Sequence, residues 1–126
     1  MKKVSLFVLL LSATMFVMAE GPAIQFEETT HDFGIVDEKG GPVTCDFVFE
    51  NTGDAPLIIS NVRASCGCTT PEWTKTPIEP GEKGSITVAY NPLGRPGAFS
   101  KVATVTSNVV GSESSKLIIK GVVENQ

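Results

Sequence analysis

Short runs of alternating apolar and polar residues make up much of the chain after residue 23. The clearest run covers 43–50, where Val43, Cys45, Phe47 and Phe49 fall on one side and mostly polar residues on the other. A period of two is typical of a β-strand with one buried face. The pattern therefore predicts a strand here and places Phe47 and Phe49 in the core.

Other runs show the same alternation, and from Ala23 onward no stretch has apolar residues at helical spacing over three turns. Within 31–36, Phe33 and Ile35 are predicted to share a face. Turn-forming residues separate the runs, because glycine, asparagine and aspartate tolerate turn geometry and proline cannot donate to a ladder. The further strands predicted are 24–26, 31–36, 57–64, 85–90, 99–107 and 117–123.

About seven short strands, with turns roughly every 8–12 residues, are typical of a β-sandwich. The predicted fold class is therefore all-β, with two antiparallel sheets facing each other. The disulfide framework of antibody domains is absent, because Cys45 and Cys66 lack its spacing and the intervening tryptophan.

The first nineteen residues have the pattern of a secretory signal peptide. Lys2 and Lys3 precede an apolar run, and Val17-Met18-Ala19 offers a cleavage site. The run is shorter than a typical membrane span. The residue directly after Ala19 is Glu20 and not a cysteine, so a lipid anchor at that point is not supported. We expect a signal peptide at 1–19, a single domain at 20–126, an exported protein that is periplasmic or secreted, and no integral membrane span after cleavage. A retained anchor is the less favoured alternative.

The domain that remains after cleavage is acidic. Loss of Lys2 and Lys3 lowers the net charge from −4 to −6. An acidic chain without basic clusters argues against nucleic acid and against anionic membrane surfaces as partners.

Two of the three cysteines lie in the turn-rich stretch Ala64–Pro71, as Cys66-Gly67-Cys68. A bridge between them would close a small, easily reduced ring, and a bridge to Cys45 requires strands that bring the β-carbons together. Alternatively, the two thiolates bind a soft metal such as Cu(I), or both residues pack as small apolar side chains. A four-ligand zinc site would need all three cysteines together with His31, and nothing in the sequence places His31 near the turn. The Cys-x-x-Cys spacing of thiol oxidoreductases is missing.

The remaining residues predict no catalytic group and no further cofactor. The only histidine, His31, has no nucleophile in a suitable motif. Trp73, in a proline-bounded stretch that we interpret as a loop, is a candidate binding anchor, or a cap on the core. Arg95, in Gly94-Arg95-Pro96-Gly97, is a candidate contact of the same kind, or a loop-packing residue.

Several phrases together resemble the bacterial domain-of-unknown-function family 1573 (DUF1573), over about residues 24–123. Members of that family look like hydin-type and major-sperm-protein-type immunoglobulin-like sandwiches, so the resemblance implies an exported immunoglobulin-like sandwich without an assigned activity. Cys45 is not part of the family pattern, and no role is carried over to it. The phrases are His31-Asp32-Phe33-Gly34, Phe47 to Gly53, Ala64 to Thr69, Ile78 to Gly81, Tyr90-Asn91-Pro92, Gly94 to Gly97 and Thr106-Ser107-Asn108.

We therefore expect a non-enzymatic protein-interaction module of the cell envelope, whose partner is an envelope or secreted protein. An exposed sheet edge is a physical invitation to such pairing. The alternative function is a soft-metal or thiol-redox protein that uses Cys66 and Cys68.

Overall fold

The structure, a computed structural model, describes residues 21–125, so the predicted signal peptide at 1–19 lies outside the described residues. Within that range the chain contains only strands, turns and irregular segments. No helix there is long and apolar enough to cross a membrane. The strands are β1 (Ile24–Phe26), β2 (Thr30–Asp37), β3 (Val43–Asn51), β4 (Ile59–Ala64), β5 (Thr69–Trp73), β6 (Lys83–Tyr90), β7 (Gly97–Ser107) and β8 (Ser114–Glu124).

The strands form two four-stranded sheets. Sheet A has the order β1-β3-β6-β5 and sheet B the order β2-β8-β7-β4. The predicted all-β sandwich is confirmed, with eight strands instead of about seven. One pair departs from the antiparallel expectation, because β2 runs parallel to β8.

The inner faces of the two sheets supply the core. Phe47 and Phe49 on β3 are 3% and 0% exposed, as their alternation predicts. Tyr90 on β6 stacks on Phe99 of β7, with 4.0 Å between ring centroids. This contact joins sheet A to sheet B, since its two strands belong to different sheets.

The prediction that Phe33 and Ile35 share a face is wrong. Phe33 packs against the core, whereas Ile35 is 65% exposed. The register between β2 and β8 shifts between Asp32 and Ile35, and Gly34 adopts a φ of 71°. An extra residue in a strand turns the following side chains to the other face, which accounts for the exposure of Ile35.

β5 is the strand that the sequence did not predict. Its partner is β6. Cys68 O accepts from Asn91 N and Thr74 N donates to Ser85 O, so the even-numbered residues from Cys68 to Thr74 point their backbone groups toward β6. By alternation, the nitrogen of Pro71 points away from β6. A proline is compatible with an edge strand in that orientation, because no ladder hydrogen bond is lost.

Candidate functional site

The turn with two of the three cysteines connects β4 to β5, at residues 65–68, where the chain crosses from sheet B to sheet A. Ser65 N donates to Val102 O at 2.9 Å, and Asn91 N donates to Cys68 O at 2.9 Å. The turn is therefore held by one sheet at its start and by the other sheet at its end.

Cys66 and Cys68 are joined by a disulfide, with 5.3 Å between their Cα atoms. Cys66 is half-buried, and Cys68 is only 5% exposed. Gly67 between them is exposed, and a Cβ added there would meet nothing within 4 Å. Solvent therefore reaches the disulfide from the side of Cys66.

Both sulfurs lie beside one buried hydroxyl group. Thr69 is 4% exposed, and its Oγ1 lies 3.5 Å from Cys66 Sγ and 3.7 Å from Cys68 Sγ. Cys68 N donates to Cys66 Sγ at 3.3 Å. Two hydrogen-bond donors are thus within reach of Cys66 Sγ, an arrangement that favours a thiolate when the bond is open.

Cys45 is the free cysteine among residues 21–125, and it is buried. It pairs with Val88 across β3 and β6, and β6 separates it from β5, which follows Cys68. Two strand spacings amount to about 10 Å, too far for a disulfide. Burial, together with the charge of Asp46, raises the pKa of the Cys45 thiol to about 11.

In the disulfide neither sulfur is a thiolate, so the soft-metal site expected at Cys66 and Cys68 requires the reduced pair. That site stays a prediction. Within the described range, no group of three or more histidine, cysteine, aspartate or glutamate residues is arranged to hold a metal ion.

Trp73 lies on β5 and not in a loop, which corrects its predicted position. It packs against the core, and Lys75 Nζ lies 4.4 Å from its ring centroid. Arg95 is exposed in the connection between β6 and β7. Trp73 pairs with Ile86 near the start of β6, whereas Arg95 follows the end of β6, so the structure does not bring the two predicted contact residues together. Their roles stay predictions.

The sequence did not predict an exposed apolar row on the outer face of sheet B. Ile35, Val122 and Ala98 are register partners across β2, β8 and β7, and we call these three residues the outer apolar row. Ile35 is 65% and Val122 41% exposed. The signal that could have revealed the row is Gly34, since an isolated glycine in a strand pattern is typical of a bulge.

The outer apolar row begins at the edge strand β2. This strand pairs with β8 on one side and with no other strand among residues 21–125. Hydrogen bonds from Ile118 N to Thr29 O and from Glu38 N to Glu124 O bracket the pair. Since backbone groups alternate in direction, those of Thr30, Asp32, Ile35 and Asp37 face away from β8.

The other three edges offer less to a partner strand. β1 has three residues. β5 has five, and of its outward groups Pro71 has no N–H while Thr69 N donates to Cys66 O at 3.3 Å. β4 has six residues and, like β2, one register irregularity. β2, with eight residues, is therefore the longest open edge in the described part of the chain.

A family model described as protein of unknown function, DUF1573, matches residues 24–123. A comparison with curated proteins found no match. Solved structures share the fold. A protein of unknown function from Porphyromonas gingivalis W83 has a TM-score of 0.71 at 16% identity, covering 88% of this chain and 51% of that protein. The present chain thus spans about half the length of that relative.

Two further structures extend the likeness. The PapD-like domain 7 of human CEP192 has a TM-score of 0.64 at 10% identity, with 99% of each chain covered. The periplasmic chaperone SfaE has a TM-score of 0.51 at 9% identity, covering 82% of this chain and 58% of the chaperone. At these identities the likeness shows the fold alone, an immunoglobulin-like β-sandwich.

Proposed function

Because the family model matches residues 24–123, which is most of the chain, the chain belongs to the DUF1573 family, and we propose that it is an exported, non-enzymatic protein-interaction module of the cell envelope. The observation that carries the proposal is the open edge of β2, eight residues long, beside the outer apolar row. Such a site needs no reacting group, since it offers backbone hydrogen bonds and an apolar contact.

The proposed partner contributes an extended segment that pairs with the free side of β2. Main-chain hydrogen bonds supply affinity in this mode, and alternate side chains supply specificity. The outward-facing groups of Thr30, Asp32, Ile35 and Asp37 would form the new ladder. An apolar side chain of the partner then lies next to Ile35, which is 65% exposed in the free protein.

The charges along β2 restrict the partner further. Ile35 is flanked along the outer face by Asp32 and Asp37, both exposed. Like charges opposite each other on neighbouring strands destabilise the pair, whereas opposite charges stabilise it. The segment we propose therefore has an apolar residue between two lysine or arginine residues at alternate positions.

The same proposal includes export from the cytoplasm and a relationship to other immunoglobulin-like domains. The amino-terminal pattern supports secretion to the periplasm or beyond, and one solved relative in fold is a periplasmic chaperone. We propose that the domain is also related to the hydin-type and major-sperm-protein-type sandwiches. The PapD-like form of the human CEP192 domain supports this assignment.

The test places a photo-cross-linking amino acid at Ile35 or, as a control, at Val110 in the protein made by its own cells. Val110 is 82% exposed and lies between β7 and β8, at the other end of sheet B from the outer apolar row. We expect one envelope protein to be cross-linked from Ile35, through a segment of the predicted pattern, and not from Val110.

A second arm measures binding of the partner in a pull-down with the variants Ile35→Lys and Val110→Lys, neither of which carries the cross-linking amino acid. Binding is expected to fall at least about tenfold in the first variant and to stay unchanged in the second, because a buried lysine opposes apolar contact. Cross-links that are equal at both positions, or binding unaffected by Ile35→Lys, would overturn the proposal.

A further inference from the structure

We propose that the disulfide Cys66–Cys68 is a reversible thiol–disulfide exchange site, which reacts with a dithiol through Cys66. The inference rests on the turn between β4 and β5 and is independent of the β2 edge. Its observations are the unequal burial of the two cysteines, the donors around Cys66 Sγ and the anchoring of the turn.

Access decides which sulfur is attacked. Attack on a disulfide requires a thiolate to approach one of its sulfurs from outside. Cys68 is 5% exposed, whereas Cys66 is half-buried beside the exposed Gly67. A Cβ at Gly67 would meet nothing within 4 Å, so the approach to the turn is open on that side. Cys66 Sγ is therefore the electrophile.

The exchange proceeds in two balanced steps. A thiolate of the dithiol attacks Cys66 Sγ, a new S–S bond forms, and the electron pair of the old bond leaves on Cys68 Sγ, which takes up a proton. The second thiolate of the dithiol then attacks the first sulfur of the dithiol, which is bonded to Cys66 Sγ in the mixed disulfide. That attack closes the disulfide of the dithiol and releases Cys66 as a thiolate. The protein disulfide gains two electrons, and the dithiol becomes a disulfide.

The reverse reaction gives each cysteine a distinct role. Cys66 Sγ has Cys68 N at 3.3 Å and Thr69 Oγ1 at 3.5 Å, and both donors stabilise negative charge on sulfur. The reduced protein would attack an oxidised partner through Cys66, and Cys68 would resolve the mixed disulfide. Thr69 is a positioning residue, since its buried hydroxyl also lies 3.7 Å from Cys68 Sγ.

The fold allows the bond to open without loss of the sandwich. The disulfide links residues two apart and does not join the two sheets. Hydrogen bonds from Ser65 N to Val102 O and from Asn91 N to Cys68 O fix the ends of the turn independently of the sulfurs. The buried Cys45 lies on another strand, across β6, and cannot divert the exchange.

The test equilibrates the folded protein, carrying Cys45→Ala, with mixtures of reduced and oxidised dithiothreitol. Trapped thiols are counted by alkylation and mass, and circular dichroism reports the fold. We expect full, reversible reduction while the β-sheet signal stays constant. Resistance to reduction in the folded state, or reduction that occurs only with unfolding, would overturn the proposal.

Single variants assign the roles in the same background. In Cys68→Ser, Cys66 should form a mixed disulfide with oxidised glutathione at least about tenfold faster than Cys68 does in Cys66→Ser. Thr69→Val should raise the pH at which Cys66 reacts in the Cys68→Ser protein, and Thr69→Ser should restore it. Equal rates at the two cysteines contradict the order of attack, and an unchanged pH profile in Thr69→Val removes the role of Thr69.

Discussion

Cys45 lies on the inner face of β3 and is 9% exposed, whereas Cys66 is half-buried in a turn with two donors near its sulfur. Thiolate formation is costly in an apolar environment and favoured beside hydrogen-bond donors. A thiolate is therefore disfavoured at Cys45 and favoured at Cys66 once the disulfide is open. The difference between the two cysteines comes from their surroundings.

The burial of Cys45 predicts a pH dependence of stability. Its pKa is raised from 9.0 to about 11, so the unfolded chain loses the thiol proton at lower pH than the folded protein. The contribution of this group to the free energy of unfolding is therefore complete below pH 9 and is lost as the pH rises towards 11. Urea unfolding of the oxidised protein should show a steeper loss of stability across that window than Cys45→Ala. Parallel profiles for the two proteins would contradict the prediction.

Single residues also show where sequence reasoning stops. Phe47 and Phe49 could be placed in the core because alternation alone decides their direction. Asn51 could not, although it is fully buried. Its Nδ2 donates to Ala55 O at 2.8 Å and to Ile78 O at 2.9 Å. The second partner lies 27 residues away, and only the folded chain shows that pairing.

Among the strands, the buried face is predictable where the alternation is unbroken. β3, β6 and β8 keep a strict period of two, and the core positions predicted on β3, Phe47 and Phe49, are confirmed. β2 and β5 each contain a residue that hides the pattern, Gly34 at the bulge and Pro71 at the edge. Both exceptions lie on edge strands, where bulges and prolines are tolerated.

The bulge in β2 depends on the backbone of Gly34. Its φ of 71° is unfavourable for residues with a Cβ. Gly34→Ala should therefore lower the free energy of unfolding by about 1–2 kcal/mol. Gly67→Ala is the matched control, because a Cβ there meets nothing within 4 Å and no positive φ is required. Equal denaturation midpoints for the two variants would show that the bulge imposes no such constraint.

The candidate site was only partly predictable for a related reason. The sequence identifies Cys66 and Cys68 as a pair, because they are separated by one glycine. Thr69 beside both sulfurs and the outer apolar row require knowledge of which strands are neighbours. Ile35 meets Val122 only because β2 and β8 are paired, although 87 positions of the sequence separate them.

For the whole molecule, the core and the disulfide contribute very differently to stability. A disulfide that closes a ring of three residues restricts the unfolded chain little, by about 1.5 kcal/mol in the chain-entropy account. Truncation of a fully buried phenylalanine costs about 3–5 kcal/mol. The sandwich should therefore tolerate loss of the Cys66–Cys68 bond better than loss of a core side chain.

That comparison is directly measurable. The double variant Cys66→Ser/Cys68→Ser should unfold with a free energy about 1–2 kcal/mol below that of the oxidised parent. Phe49→Ala, at a side chain that is 0% exposed, should lose about 3–5 kcal/mol. Chemical denaturation followed by tryptophan fluorescence gives both values. A double variant that is less stable than Phe49→Ala would reverse this order.

The parallel pairing of β2 with β8 also sets a schedule for folding. β8 lies between β2 and β7, so β2 has no partner in sheet B until residues 114–124 have emerged from the ribosome. Pairs that are distant in sequence form slowly, because the chain must close a long loop first. Until then both edges of β2 are open, so any other extended segment that reaches β2 first competes with β8 for its backbone groups.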